Sequence, residues 1–297
     1  MGNVIKLALI QMTCGDSVGE NAELAIGQIR EAAASGAQIV CTQELFKSRY
    51  FCQTEDRAHF DLAEEIRPGG GIMARLSTLA AELGVVIVAS LFEARAVGLY
   101  HNTAVVLDAD GAFLGRYRKM HIPDDPGYYE KFYFAPGDLG YRVFKTRYAS
   151  LGVLICWDQW FPEAARLSAM GGAELILIPT AIGYSSIDDD GDAEAYRDSW
   201  EIVQRGHAVA NACYLGVVNR VGYEASPDTQ GGIDFWGSSF VADPDGQIVA
   251  RASMEEPELL LCSLDLGHVE EVRKRFSFPF RDRRVDSYGG LTKLYLD

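Results

Sequence analysis

Long apolar runs are missing from this chain. The most continuous, near Val85 to Phe92, falls well short of the ~20 residues that a membrane-spanning helix needs, so no membrane partner is expected. Positive charge is scarce too: 27 Lys and Arg face 42 Asp and Glu, a net charge of −15 over 297 residues. That balance argues against nucleic acid, whose phosphates call for clustered basic side chains, and suits a small cationic substrate, although acidity also simply keeps a protein soluble. The six cysteines, Cys14, Cys41, Cys52, Cys156, Cys213 and Cys262, are widely spread with no C-x-x-C pair, which excludes a disulfide framework and points to a reducing compartment. The five histidines lack metal-ligand spacing with Cys, Asp or Glu, so neither a metal nor another cofactor is expected. The first residues show no signal-peptide pattern, and Lys6 stands where a myristoylation motif wants Ser or Thr; a cytoplasmic location is the expectation.

What is present is an alternation of buried strands and amphipathic helices. Val4–Met12 reads as a strand, Glu20–Ala34 as a helix with Ala22, Ile26, Ile29 and Ala33 on one face, and Gln38–Thr42 as a second strand. A helix over Ile72–Leu83 ends at Gly84, and the strand Val85–Ser90 follows. Asn102–Leu107 and Ala112–Arg118 form a hairpin about Asp108–Gly111. The stretch His121–Gly140 is aromatic and rich in turn residues, with no clear period, as functional loops often are. Farther on, Leu175–Ile178, Tyr214–Asn219, the Ser238–Ala252 hairpin and Leu259–Leu264 read as strands, and Tyr196–Asn211 and Val269–Phe276 as helices. With no repeat and no linker, residues 1–297 read as one α/β domain.

Leu151–Glu163 organises the rest. Its apolar first half suits a strand buried on both faces, Cys156 stands where that run stops, and Pro162 offers a preferred first helical position. A thiol on such a turn, beside unpaired backbone N–H groups, is held where its thiolate is favoured and an oxyanion could be received. Glu44 and Lys119 also fall just beyond strands, where an open α/β sheet gathers its ligands. Singly, Cys156 reads equally as packing, Glu44 as a solvated carboxylate and Lys119 as one charge of the Arg116–Lys119 cluster. Together they suit a nucleophile, its general base and an oxyanion partner.

The segments Thr42–Phe46, Arg118–Pro123 and Ile155–Glu163 resemble the signature segments of the nitrilase superfamily of carbon–nitrogen hydrolases. More narrowly, Pro123–Asp138, Pro179–Gly183 and the tail Arg281–Arg284 resemble the branch that acts on N-carbamoylputrescine. The resemblance implies a four-layer α-β-β-α sandwich, Glu44 as base, Lys119 as oxyanion stabiliser, Cys156 as nucleophile and Glu130 as a second glutamate of the site. It further implies hydrolysis of a cationic ureido substrate through a Cys-linked carbamoyl intermediate, in polyamine synthesis from agmatine. It implies, too, a homo-oligomer in which the tail from about residue 278 to 297 packs on a neighbouring subunit.

Trp157 would add a backbone donor to the oxyanion site, Tyr128, Tyr129 and Tyr184 could wall the methylene chain, and Asp188 and Asp189 could meet the ammonium. β-Ureidopropionase, aliphatic amidase or nitrilase activity is the neighbouring alternative, and an inactive scaffold member the alternative from another class. A thiol pair of Cys156 with His121 is a further arrangement the sequence permits.

Overall fold

The structure, a computed structural model, describes residues 3–186, 193–227 and 231–296. Its strands in chain order are β1 (Val4–Gln11), β2 (Ile39–Thr42), β3 (Val86–Ala96), β4 (Leu99–Leu107), β5 (Phe113–Arg118), β6 (Val143–Lys145), β7 (Ser150–Val153), β8 (Leu175–Pro179), β9 (Gly183–Ser185), β10 (Tyr214–Val218), β11 (Val221–Ala225), β12 (Gly232–Trp236), β13 (Phe240–Ala242), β14 (Ile248–Arg251) and β15 (Glu258–Asp265). The helices are α1 (Val18–Ala34), α2 (Gly71–Leu83), α3 (Glu130–Tyr133), α4 (Pro162–Met170), α5 (Ala193–Asn211) and α6 (Leu266–Arg275).

Two six-stranded sheets, ordered β15-β1-β2-β3-β4-β5 and β14-β13-β10-β8-β7-β6, lie face to face. The period-two alternation of strand side chains assigns the layers. In β1, Leu7 and Leu9 point into the core between the sheets, where they join Leu151, Val153, Leu177, Val218 and Val241. Ala8 and Ile10 point the other way and pack with Ala25 and Ile29 of α1 and Leu76 and Leu79 of α2. On the far side of the second sheet, Ala164 and Ala165 of α4 and Trp200 and Ala208 of α5 cover the strands. This is the four-layer α-β-β-α sandwich expected, and both inner faces are apolar because both are dry.

Each sheet has a parallel centre, β1-β2-β3 and β7-β8-β10 respectively, with antiparallel edges. Glu44 follows β2, Cys156 follows β7 and Asn219-Arg220 follow β10, so the segments that carry polar side chains leave at the same end of the sandwich.

Three features depart from the sequence reading. β7 stops at Val153 rather than reaching the cysteine, because Cys156–Trp160 winds into a 3-10 turn before α4 begins at Pro162. The long loop holds a single helical turn, α3, too short to impose a period. A three-stranded sheet, β11-β12-β9, was not anticipated: its strands are short and carry Gly183, Gly222 and Gly232 and exposed polar positions, so their pairing is set by neighbours rather than by an apolar run.

Candidate active site

Glu44 sits on a sharp turn after β2. Leu45 takes φ +49°, a left-handed conformation unusual for a branched residue, and its N–H donates to Ser90 Oγ at 3.1 Å. Lys119 leaves β5 directly; its N–H donates to the Asn102 carbonyl at 2.9 Å, and its own carbonyl accepts from Gly137 N–H at 2.7 Å. Glu130 opens α3, folded back so that its carboxylate lies under Lys119. Cys156 holds φ +43°, so the nucleophile candidate stands on a strained turn between strand and helix, as expected of a side chain presented rather than packed.

These side chains converge. Lys119 Nζ donates to Glu44 Oε1 at 2.9 Å and to both oxygens of Glu130, at 2.8 and 2.7 Å, with all three side chains 0% exposed. Asn102 Nδ2 donates to the same Glu44 Oε1 at 2.7 Å, and Tyr50 Oη donates to Glu130 Oε1 at 2.7 Å. The other oxygen of Glu44, Oε2, is buried and accepts no hydrogen bond among the described residues, which leaves it open to take a proton. Cys156 lies close enough that the charges of Glu44, Lys119 and Glu130 all bear on its thiol.

Burial is the largest influence on Lys119, Glu130 and Cys156. It would lower the Lys119 ammonium, but Glu130 and Glu44 outweigh it and hold the pKa well above its ordinary value. Burial pushes Glu130 up to about 7, against the pull of Lys119. Burial, reinforced by Glu44, also pushes the Cys156 thiol well above its usual range, with a smaller lowering by Lys119. The turn was expected to favour a thiolate; burial acts the other way and outweighs Lys119, raising the thiol's pKa and giving a base beside it a role in attack.

A carbon–nitrogen hydrolase family profile matches residues 6–274. The chain belongs to the nitrilase superfamily of carbon–nitrogen hydrolases. It is 45% identical to an N-carbamoylputrescine amidase of Solanum lycopersicum over 98% of its length and 96% of that relative. It is 40% identical to a citrullinase of Francisella tularensis subsp. tularensis, covering 98% of this chain and 99% of the other. Among solved structures, a carbon–nitrogen hydrolase from Helicobacter pylori G27 superposes with a TM-score of 0.93 at 45% identity, over 99% of this chain and 100% of that one.

Around the centre of this hydrolase, Asp158 ties the lysine segment to the cysteine turn. Its Oδ1 accepts from His121 N–H at 3.0 Å and lies 2.7 Å from His121 Nδ1, while Oδ2 accepts from Tyr117 Oη at 2.7 Å and Ile155 N–H at 3.0 Å. His121 is thereby engaged with Asp158, and its ring stacks on Phe161 at 3.6 Å, so it is not the partner of Cys156. Trp157 follows Cys156 in the 3-10 turn, 6.4 Å from Trp160 between ring centroids. Tyr128 brackets Gly183, donating to its carbonyl at 3.1 Å and accepting from its N–H at 3.0 Å, and its ring lies 5.6 Å from Tyr50.

Tyr129 is less central: half-buried, it donates its N–H to the Cys52 carbonyl and precedes α3. Tyr184 packs its ring 4.9 Å from Trp236, and its hydroxyl, raised first by burial, feels Glu194, Asp198 and Asp234 against Arg197. Acidic side chains thus gather beside this aromatic wall, but Asp188 and Asp189 lie outside the described residues. Sequence reasoning missed Tyr50, Asn102, Asp158 and Arg220. The contacts that bring them to the site are distant in sequence: Asn102 and Glu44 lie 58 positions apart, Tyr50 and Glu130 80, Asp158 and Tyr117 41, and Arg220 and Glu44 176.

Proposed function

We infer that this hydrolase removes the carbamoyl group from N-carbamoylputrescine, giving putrescine, carbon dioxide and ammonia. The observation that carries the reading is the buried ammonium of Lys119 held between two carboxylates beside the Cys156 thiol. Glu44 takes the thiol proton through its open Oε2 as sulfur attacks the ureido carbonyl. The carbonyl oxygen becomes an oxyanion against Lys119 and the Trp157 backbone N–H. Glu44 then returns the proton to the departing nitrogen as the C–N bond breaks, leaving a carbamoyl thioester on Cys156. Water, deprotonated by Glu44, attacks that thioester; the sulfur leaves and recovers the proton from Glu44, and the carbamic acid set free loses carbon dioxide, its second C–N bond breaking to release the remaining nitrogen product. Glu130 keeps Lys119 charged and in place throughout.

The substrate class rests on two relatives whose names specify ureido compounds, one with a distal amine and one an amino acid. Glu194, Asp198 and Asp234 near Tyr184 favour the cationic end, with Trp157, Tyr128 and Tyr184 supplying apolar surface for the carbon chain. The same reading places the enzyme in polyamine synthesis in the cytoplasm, working as a homo-oligomer. The test is a panel of N-carbamoylputrescine, citrulline, β-ureidopropionate and a simple aliphatic amide, followed by ammonia release and amine analysis. Fastest turnover should go to the cationic ureide, with none in Cys156→Ala. Preference for an anionic or neutral substrate would overturn the substrate, and ammonia from Cys156→Ala the covalent route.

A further inference from the structure

Arg220 is the largest fully buried cation among the described residues, ahead of Lys119, and none of the steps above uses it. It lies between β10 and β11, 176 positions away from Glu44 in sequence, yet its guanidinium lies directly behind the turn that carries the base. Nη2 donates to the carbonyls of Glu44 and Leu45, both at 3.1 Å, and Nη1 to that of Ser48 at 3.0 Å. Nη1 also donates to Glu224 Oε1 at 2.6 Å, and the guanidinium sits 5.5 Å from the centre of the Phe235 ring. Glu224 in turn uses Oε2 to accept from Tyr50 N–H at 2.6 Å, and Tyr50 passes its hydroxyl to Glu130. One buried ion pair therefore touches both carboxylates that flank Lys119, one through its backbone and the other through a tyrosine.

We propose that Arg220 and Glu224 are positioning residues that fix the separation of the Glu44 and Glu130 carboxylates across Lys119. The proposal rests on the roles given above to those two glutamates. Its physical basis is the strained backbone at Leu45, which persists only where surrounding bonds over-determine it. Arg220 binds the carbonyl of that residue and of the one before it, and a planar fork can hold several acceptors at once where an ammonium cannot. Relaxation of that turn would swing Oε2 of Glu44 away from the thiol, and a misplacement of about 1 Å at a reacting group can cost about a hundredfold in rate. Glu224 acts on the opposite side, since a shift of Tyr50 would loosen Glu130 and with it the grip on Lys119.

The test uses the full-length enzyme with kcat expressed per titratable Cys156 thiol, so that loss of folded protein does not count as loss of rate. Arg220→Lys keeps the charge opposite Glu224 but not the fork, and should lower kcat about tenfold or more with little change in KM. Arg273→Lys is the control: Arg273 also clamps backbone, donating to the Ala212 and Ala173 carbonyls at 3.0 and 2.7 Å, but far from the site, and its variant should lose melting temperature without losing kcat. Tyr50→Phe and Glu224→Gln should move the pH dependence of kcat/KM in the same direction, and the double variant should move it no further than the larger single shift. Wild-type kcat per thiol in Arg220→Lys, or additive shifts in the double variant, would overturn the proposal. Activity surviving in Cys156→Ala would instead strike the reading of the site itself, so the two failures are separable.

Discussion

The proposed chemistry turns on Lys119, the ammonium held by both Glu44 and Glu130. Replacing it with Ala leaves two buried carboxylates facing each other; the raised pKa of Glu130 allows that pair to take up a proton, so the protein should still fold. Its kcat should fall roughly 10²–10³-fold, as for loss of an oxyanion donor, and a steady-state assay on Lys119→Ala checks this. Glu130 makes a prediction about pH. Its folded-state pKa, raised by burial to about 7, stands above its ordinary 4.5. The folded protein therefore binds the extra proton, so this group's contribution to stability is fully present below pH 4.5 and is lost as pH rises through about 7. Urea midpoints between those limits should fall with pH in the native protein and flatten in Glu130→Gln. The same variant should lose kcat, since Lys119 then keeps only Glu44 as an ionised partner; an unchanged rate would reduce Glu130 to a structural role.

Among the elements, the segments that follow the strands matter more than the strands. Glu44, Lys119 and Cys156 were legible as candidates because each falls just beyond a strand, and a strand end is where a polar side chain can meet ligand without breaking the sheet. The exact turn was not legible: φ +43° at Cys156 is imposed by packing of α4 and the Asp158 clamp, not by a local glycine. Likewise the loop from His121 to Gly140 has no periodicity, because it is held by long-range bonds from Lys119, Tyr50 and Tyr100. Gly137 shows how tightly. A Cβ there would collide with the Arg118 carbonyl, one residue before the lysine, and its N–H holds the Lys119 carbonyl. Gly137→Ala should cost about 1–3 kcal/mol of stability by overpacking. It should also lower kcat more than tenfold through displacement of Lys119, by roughly the scale of a 1 Å misplacement. Urea denaturation and steady-state kinetics measure the two effects separately.

At the scale of the whole molecule, the tail after α6 leaves Phe276, Phe278, Val285, Leu291, Leu294, Tyr295 and Leu296 exposed, an apolar content that a neighbouring subunit would cover. A chain ending at residue 275 should sediment as a smaller species than the full-length protein; identical sedimentation would leave the tail without that role. By itself the sequence determined the succession of elements, since short apolar runs mark strands buried on both faces and a 3.6-residue period marks the helices between them, while the four layers were implied by the resemblance of the signature segments. It also determined which three residues could do the chemistry, because residue type and strand-end position are local properties. Only the tertiary structure decided how they work together. The ionisation of Lys119, Glu130 and Cys156 depends on removal from water and on charges contributed by distant segments, and Arg220, Tyr50 and Asn102 acquire their roles through hydrogen bonds spanning tens to more than a hundred positions. Desolvation and long-range contact are properties of the folded molecule, and no spacing along the chain encodes them.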